Sequence, residues 1–216
     1  MIHLCYTPKV NLLSQVMAHV PKSIAELVKM LAKMPGFSER GAERFLEWWW
    51  QRQDDKKDFH LEWSDFLKIT PCQKCFFFAY SDLCEFCQDS KRDQDKICVI
   101  TSPFSAGLID KDTGYNGLYF VLGGEVVNGR NSKAVEQVKK RAALLADRVD
   151  KEKIKELIIA TDFTTRGEAT ALFIKELFKG IPVKISRLAR GFQTGGLIDY
   201  GDAATLRNAF EKREPI

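Results

Sequence analysis

Two tight pairs of thiols, Cys72-Gln-Lys-Cys75 and Cys84-Glu-Phe-Cys87, stand eight residues apart in this chain. Two sulfurs separated by two residues can face one ion from a single turn, and a closed shell of four thiolates suits a structural Zn²⁺, with no ligand position left open for chemistry. Two disulfides, or four unrelated thiols, are the competing readings of the same residues, and disulfides would require an oxidising compartment. The start Met1-Ile-His-Leu-Cys-Tyr lacks the charged and apolar segments of a signal peptide, and no apolar run approaches the ~20 residues that span a bilayer. The expectation is therefore a cytoplasmic protein with reduced thiols, a zinc site at Cys72, Cys75, Cys84 and Cys87, and no membrane partner. Cys98, inside Ile97-Cys-Val-Ile100, reads as core, and Cys5 carries no information.

A second constellation suits phosphate. Ser23-Ile-Ala-Glu26 has the form of a capping box, in which the serine hydroxyl and the glutamate carboxylate satisfy backbone donors at a helix start. Ile24, Leu27, Val28 and Leu31 then recur at helical spacing up to Pro35-Gly36. A second helix follows, with Ala42, Phe45, Leu46 and Trp49 on one face and Arg40 and Arg44 on another. This arrangement resembles a helix-hairpin-helix, whose second helix offers unpaired N–H groups and the positive end of its dipole to a DNA phosphate. Such contacts hold backbone and do not read sequence. The candidate DNA-binding residues are Gly36, Ser38, Arg40, Gly41 and Arg44, with Lys22 and Lys33 secondary. Ser38 stands where the usual motif has a second glycine. A plain αα-hairpin with solvated arginines is the alternative.

Composition narrows the field little. The length of 216 residues and a hydrophobic content of 45% allow one full core or two small ones, while a formal charge of +4 permits nucleic acid without indicating it. Trp48-Trp-Trp50 and Phe76-Phe-Phe78 read as packing aromatics ahead of base-stacking platforms. After the cysteines, β-rich runs at Lys96–Ile100, Leu118–Leu122, Leu157–Ala160 and Val183–Leu188 alternate with helical patterns. Ala134, Val135, Val138, Ala142 and Leu145 mark one helix; Ala169, Phe173, Ile174 and Leu177 mark another. The expected class is α/β, built of several modules: a small, mostly parallel sheet covered by helices, with ligands at the carboxyl ends of its strands.

The order of hairpin, four cysteines, Arg92-Asp93, Ile97-Cys-Val-Ile100, Tyr115-Asn-Gly-Leu-Tyr119 and Val121-Leu-Gly-Gly124 resembles the RecR family of bacterial recombination mediators. Ala160-Thr161, Gly167-Glu-Ala-Thr-Ala171, Arg187-Leu-Ala189, Gly195-Gly196, Asp199-Tyr200, Asp202 and Thr205-Leu206 continue the pattern, so the resemblance runs from about Val20 to about Arg213. It implies an N-terminal extension (1–19), a helix-hairpin-helix region (20–70), a four-cysteine zinc module (71–95), a Toprim domain (96–180) and a C-terminal wrapping segment (181–216). It further implies a homo-oligomer, a tetrameric ring around gapped, single-stranded or junction DNA. Such a ring works with RecO, and in some bacteria RecF, to load RecA where single-strand binding protein coats a gap.

Catalytic Toprim domains gather carboxylates around Mg²⁺ at the scissile phosphate. Here Thr101 stands at the first-strand position where relatives keep glutamate, Ser105 stands where they keep aspartate, and Arg166 replaces a glutamate before Gly167-Glu168. With Asp162 and Glu168 as the remaining acids, the rim reads as degenerate, lowered in negative charge and unsuited to a hard metal. A non-catalytic mediator is the expectation, and a Mg²⁺-dependent Toprim nuclease or primase is the alternative. Asp199-Tyr-Gly-Asp202 resembles a Walker B stretch, but no Gly-x-x-x-x-Gly-Lys-Ser/Thr loop accompanies it, so no ATPase is expected.

Overall fold

The computed structural model describes residues 20–52, 55–126, 132–189, 198–200 and 202–211. The 1–19 extension with Cys5, and the loop carrying Gly191, Gln193, Gly195, Gly196 and Leu197, lie outside them. The chain divides after Leu67 into two compact units.

Among the described residues, the first unit holds three helices: α1 (Lys22–Leu31), α2 (Glu39–Gln51) and α3 (Asp55–Phe66). The expected capping box does not form. Pro21 is the N-cap of α1, its carbonyl accepting from the amides of Ile24 (2.9 Å) and Ala25 (3.2 Å), so Ser23 falls inside the first turn. Proline's fixed φ already presents that carbonyl to the helix, and Glu26 lies 3.8 Å from Lys22. Val28 and Ala42 are the buried residues of α1 and α2. Helix α3 was not among the elements expected from the sequence, although Phe59, Trp63 and Phe66 stand at i, i+4 and i+7 and so share one face, with Leu61 off it. Its rings are held by aromatic contact: Phe59 meets Trp49 edge-on at 4.7 Å and stacks on Trp63 at 5.9 Å, which reaches Phe66 at 5.5 Å. Trp48 and Trp50, expected as packing residues, stay 46% and 67% exposed, so this unit alone does not bury its aromatic face.

The second unit is built on a four-stranded parallel sheet in the order β4-β3-β5-β6. Preceded by the short antiparallel pair β1 (Thr70–Pro71) and β2 (Phe78–Ala79) and helix α4 (Glu85–Gln88), its elements run β3 (Asp93–Ile100), α5 (Phe104–Thr113), β4 (Gly117–Val121), α6 (Lys133–Glu152), β5 (Glu156–Ala160), α7 (Thr165–Leu177) and β6 (Lys184–Arg187). A 3₁₀ turn (Ile198–Tyr200) and α8 (Ala203–Glu211) follow. Successive strand residues face opposite ways. Ile97 and Val99 join the cluster of Val135, Val138, Ala142 and Leu145 from α6 and Ile174 from α7, whereas Cys98 and Ile100 join Ala106 of α5 and the partly buried Phe86. Ala134, expected on the buried face of α6, is exposed. Among the described residues no helix is long and apolar enough to cross a membrane.

The turn from β5 into α7 has no room for a side chain. Thr164 caps the amide of Gly167 (3.1 Å), Thr161 donates to the Gly167 carbonyl (2.9 Å), and a Cβ at Gly167 would collide with the backbone of Asp162. Gly167→Ala should therefore cost about 1–3 kcal/mol, as overpacking of a tight site does. Gly107→Ala in α5, with nothing within 4 Å of the new Cβ, should be neutral or stabilising by up to about 1 kcal/mol. Paired thermal denaturation of the two variants measures the difference.

Candidate metal centre and sheet rim

The cysteine hooks are shaped by local hydrogen bonds. In the first, the amide of Phe76 donates to the Cys72 carbonyl (2.9 Å) and that of Cys72 to the Phe77 carbonyl (2.7 Å); in the second, Cys87 donates to the Cys84 carbonyl (3.0 Å). Gln73 clips the two together through the Asp82 carbonyl (2.9 Å) and carboxylate (2.8 Å). Phe76 adopts a left-handed conformation, φ 61°, which turns the chain sharply after Cys75. Cys72, Cys75 and Cys84 are buried, Cys87 half-buried, and all four sulfurs lie within 4.8 Å of one another. Cys75 and Cys84 are 3.4 Å apart, far beyond a disulfide bond of about 2.05 Å. Bonds of ~2.3 Å to one tetrahedral ion would place sulfurs about 3.8 Å apart, so the site fits a single ion. A shared hydrogen bond with Cys75 holds the Cys84 thiol well below its ordinary pKa, and the same contact raises Cys75. The bare thiols thus share protons that a metal must displace.

The module is fastened along the outer edge of β4. The amide of Val121 donates to the Cys75 carbonyl (2.8 Å), so the metal hook covers an edge that would otherwise be open to another strand. Arg148 reaches the Lys74 carbonyl (3.4 Å) and pairs with Glu152 (2.8 Å), which also holds Lys74 (3.0 Å). On the second hook, Arg92 lies over the Phe86 ring at 4.6 Å and bonds Asp110 (2.6 Å) and the Gly117 carbonyl (2.9 Å). Sequence reasoning missed Arg141 and Arg148, although both fall in the apolar register of α6, seven residues apart among Val138, Ala142, Leu145 and Val149. Charged residues at core positions were the signal.

The rim at the carboxyl ends of the strands is poor in free carboxylate. Thr101 and Ser105 are half-buried beside the start of α5, and Asp162 and Arg166 are exposed after β5. Glu168 is paired with Arg187, which also donates to the Asp162 carbonyl (3.3 Å) and lies over Phe163 at 5.0 Å. Among the described residues, the four cysteines alone form a group of His, Cys, Asp or Glu placed to share one ion. Near the chain's end, Asp202 accepts from the amides of Ala204 (2.9 Å) and Thr205 (3.0 Å) and so caps α8.

In the hairpin, Gly36 takes φ 85° and Ser38 is the N-cap of α2, its hydroxyl accepting from the Gly41 amide at 3.1 Å. The amide of Ala42 is taken by the Ser38 carbonyl (2.8 Å). The helix end therefore presents the amides of Glu39 and Arg40, with the exposed Arg40 and Arg44 one turn apart.

A Toprim domain model matches residues 95–189. The chain is 35% identical over 205 residues to the recombination protein RecR of Rubrobacter xylanophilus, covering 93% of this chain and 100% of the relative. Identity is 34% over 199 residues with RecR of Desulfatibacillum aliphaticivorans (91% and 98%) and 32% over 202 residues with RecR of Staphylococcus haemolyticus (90% and 98%). The chain belongs to the RecR family. In this RecR-family chain the Toprim sheet and the cysteine module are one packed body, joined at β4.

Stripping the metal with a chelator, or Cys84→Ser, should lower thermal stability by several kcal/mol, since binding energy at such a site is folding energy. Unchanged melting after verified metal loss would refute a structural role. Metal retention should also weaken as pH falls, because protons compete for the thiolates. Glu152 adds an acid-sensitive contact of its own. Burial alone would raise its carboxyl, but hydrogen bonds from Arg148 and Lys74 hold it below its ordinary value of 4.5. A depressed folded value means stability present above that pH and lost as pH falls through and below it. Glu152→Gln should accordingly flatten the acid limb of a stability profile.

Proposed function

We propose that this chain is a DNA-binding mediator of recombinational repair that positions other proteins and performs no bond-making or bond-breaking step itself. The observation that carries the reading is its alignment with RecR proteins over essentially their whole length. The ion pair that occupies Glu168 supports it, because a Toprim catalyst needs that region's carboxylates free to hold Mg²⁺. Residues 20–70 are assigned to DNA contact, 71–95 to the metal module, 96–180 to the Toprim sheet and 181–216 to a C-terminal segment. The ion is Zn²⁺, chosen by four soft ligands in a closed shell.

DNA is held at the hairpin by its phosphates, through the backbone from Gly36 to Gly41 and the guanidinium groups of Arg40 and Arg44. The partly exposed rings of Trp48, Trp50 and Trp63 support assembly with further copies of the chain, the protomers closing into a ring of four. In the cytoplasm such a ring works with RecO, and where present RecF, to load RecA onto gaps held by single-strand binding protein.

Incubation with end-labelled gapped DNA and Mg²⁺, split between native and denaturing gels, should give retarded but intact strands. Shortened or extended strands would replace the mediator by a Toprim enzyme. Arg40→Glu with Arg44→Glu should abolish most of the retardation, and Arg40→Ala alone should reduce the log–log salt slope by about 0.9. Unchanged affinity in the double variant would remove the hairpin from the interface.

A further inference from the structure

We propose that Phe76 and Arg141 are positioning residues that couple metal occupancy at the four cysteines to the conformation of the Gly123-Gly124 turn on the sheet rim. The inference rests on the reading that those cysteines hold a metal, and goes beyond it.

The chain of contacts begins at the metal hook. Cys75 is a ligand, and the next residue, Phe76, holds φ 61°. A left-handed backbone costs a non-glycine residue about 1–2 kcal/mol, so it persists where surrounding contacts enforce it. Two such contacts are present: the closed hydrogen bonds of the hook, and the seat of the Phe76 ring. That ring meets Phe120 of β4 edge-on at 5.5 Å and carries the Arg141 guanidinium over its face at 4.5 Å.

Arg141 is the second link. Burial lowers its pKa, and among the described residues no carboxylate pairs with it. Its charge is met by the Phe76 ring and by the Val121 carbonyl, which accepts from Nη1 at 3.3 Å. Val121 is the last residue of β4, and its amide donates to the Cys75 carbonyl at 2.8 Å. The N–H of this residue is thus anchored to the metal hook and its C=O to the residue stacked on the hook.

The turn that follows is the third link. Gly123 has φ 76°, and a Cβ there would overlap Nη1 of Arg141; Gly124 has φ 154°, with a Cβ position 3.3 Å from Val138. The guanidinium fills the space that a side chain at Gly123 would take, so the turn closes against Arg141. A metal bound by Cys72 and Cys75 would keep the hook's hydrogen bonds closed; without it the hook loosens its hold on the left-handed Phe76, its ring leaves Phe120, and Arg141 loses its cover. The end of β4 and the glycine turn then lose their outer support. Because open α/β sheets take their ligands at this rim, metal loading would preset the surface that meets a partner. The Arg148–Glu152–Lys74 contacts hold the same hook to the far end of α6, and offer a control that loosens the module without touching the turn.

The test follows backbone amide shifts of Gly123 and Gly124, and hydrogen exchange at Val121, in four proteins loaded with Co²⁺ or Zn²⁺: wild type, Arg141→Ala, Phe76→Gly and Arg148→Ala. Wild type is also measured after metal removal. Thiolate-to-cobalt absorption reports whether the tetrahedral site is filled, and Leu157–Ile159 of β5 serves as the internal reference. Expected are moved glycine shifts and about tenfold faster Val121 exchange in loaded Arg141→Ala and Phe76→Gly, matching metal-free wild type. The cobalt spectrum should be unchanged, β5 undisturbed, and Arg148→Ala like wild type at the turn. Phe76→Gly should retain metal as well as wild type or better, because glycine adopts φ 61° without strain. Should metal removal unfold the whole unit, the loaded variants decide. Unmoved glycine signals in both loaded variants, or equal loosening of β5, would overturn the coupling. No cobalt spectrum in wild type would instead defeat the metal reading on which it rests.

Discussion

Strand β3 must be buried on both faces, and the second unit is arranged around that need. Ile97, Cys98, Val99 and Ile100 are all fully buried, so one layer of helices is not enough. Helices α6 and α7 cover the face that carries Ile97 and Val99, while α5 and the partly buried Phe86 and Phe77 of the cysteine module cover the face that carries Cys98 and Ile100. The metal module is therefore part of the covering layer as well as a neighbour of it. This explains why the four-cysteine site sits against the sheet, and why its first hook also closes the outer edge of β4.

Charged groups placed at buried positions make the connection specific. Apolar contact between the module and the sheet would tolerate sliding, whereas each guanidinium here has a fixed set of acceptors. Arg92 joins α5 to the second hook, Arg148 joins α6 to the first, and Arg141 lies between Phe76 and the end of β4. A buried cation without its acceptors is costly. Such contacts tie the module to the sheet at named acceptors.

The same use of charge occupies one carboxylate of the rim. A hard divalent ion needs several oxygens converging in one place. In this chain Glu168 faces Arg187, and hydroxyls stand at Thr101 and Ser105. What the described residues place at the carboxyl ends of the strands is the hydroxyls of Thr101 and Ser105, the ring of Phe163, the exposed Asp162 and Arg166, and the Glu168–Arg187 pair. In the hairpin of the first unit, Ser38 takes up one helix amide, that of Gly41, through its hydroxyl.

The amino-acid order alone determined the parallel α/β unit, the four thiols and the hairpin, because each is encoded by short-range periodicity or spacing. Runs such as Ile97–Ile100 and Leu118–Leu122 are long enough in apolar residues to declare buried strands, and two Cys-x-x-Cys pairs declare one centre. Tertiary structure alone decided the rest. The ring of Phe59 in helix α3 packs on Trp49 of α2, and Trp48 and Trp50 kept much of their surface in solvent. The pairing of Glu168 with Arg187 spans 19 residues, and that of Lys74 with Arg148 spans 74. No local pattern signals such partners: a charge at a core position announces that an acceptor must exist, but which acceptor it meets is settled only when distant strands and helices pack.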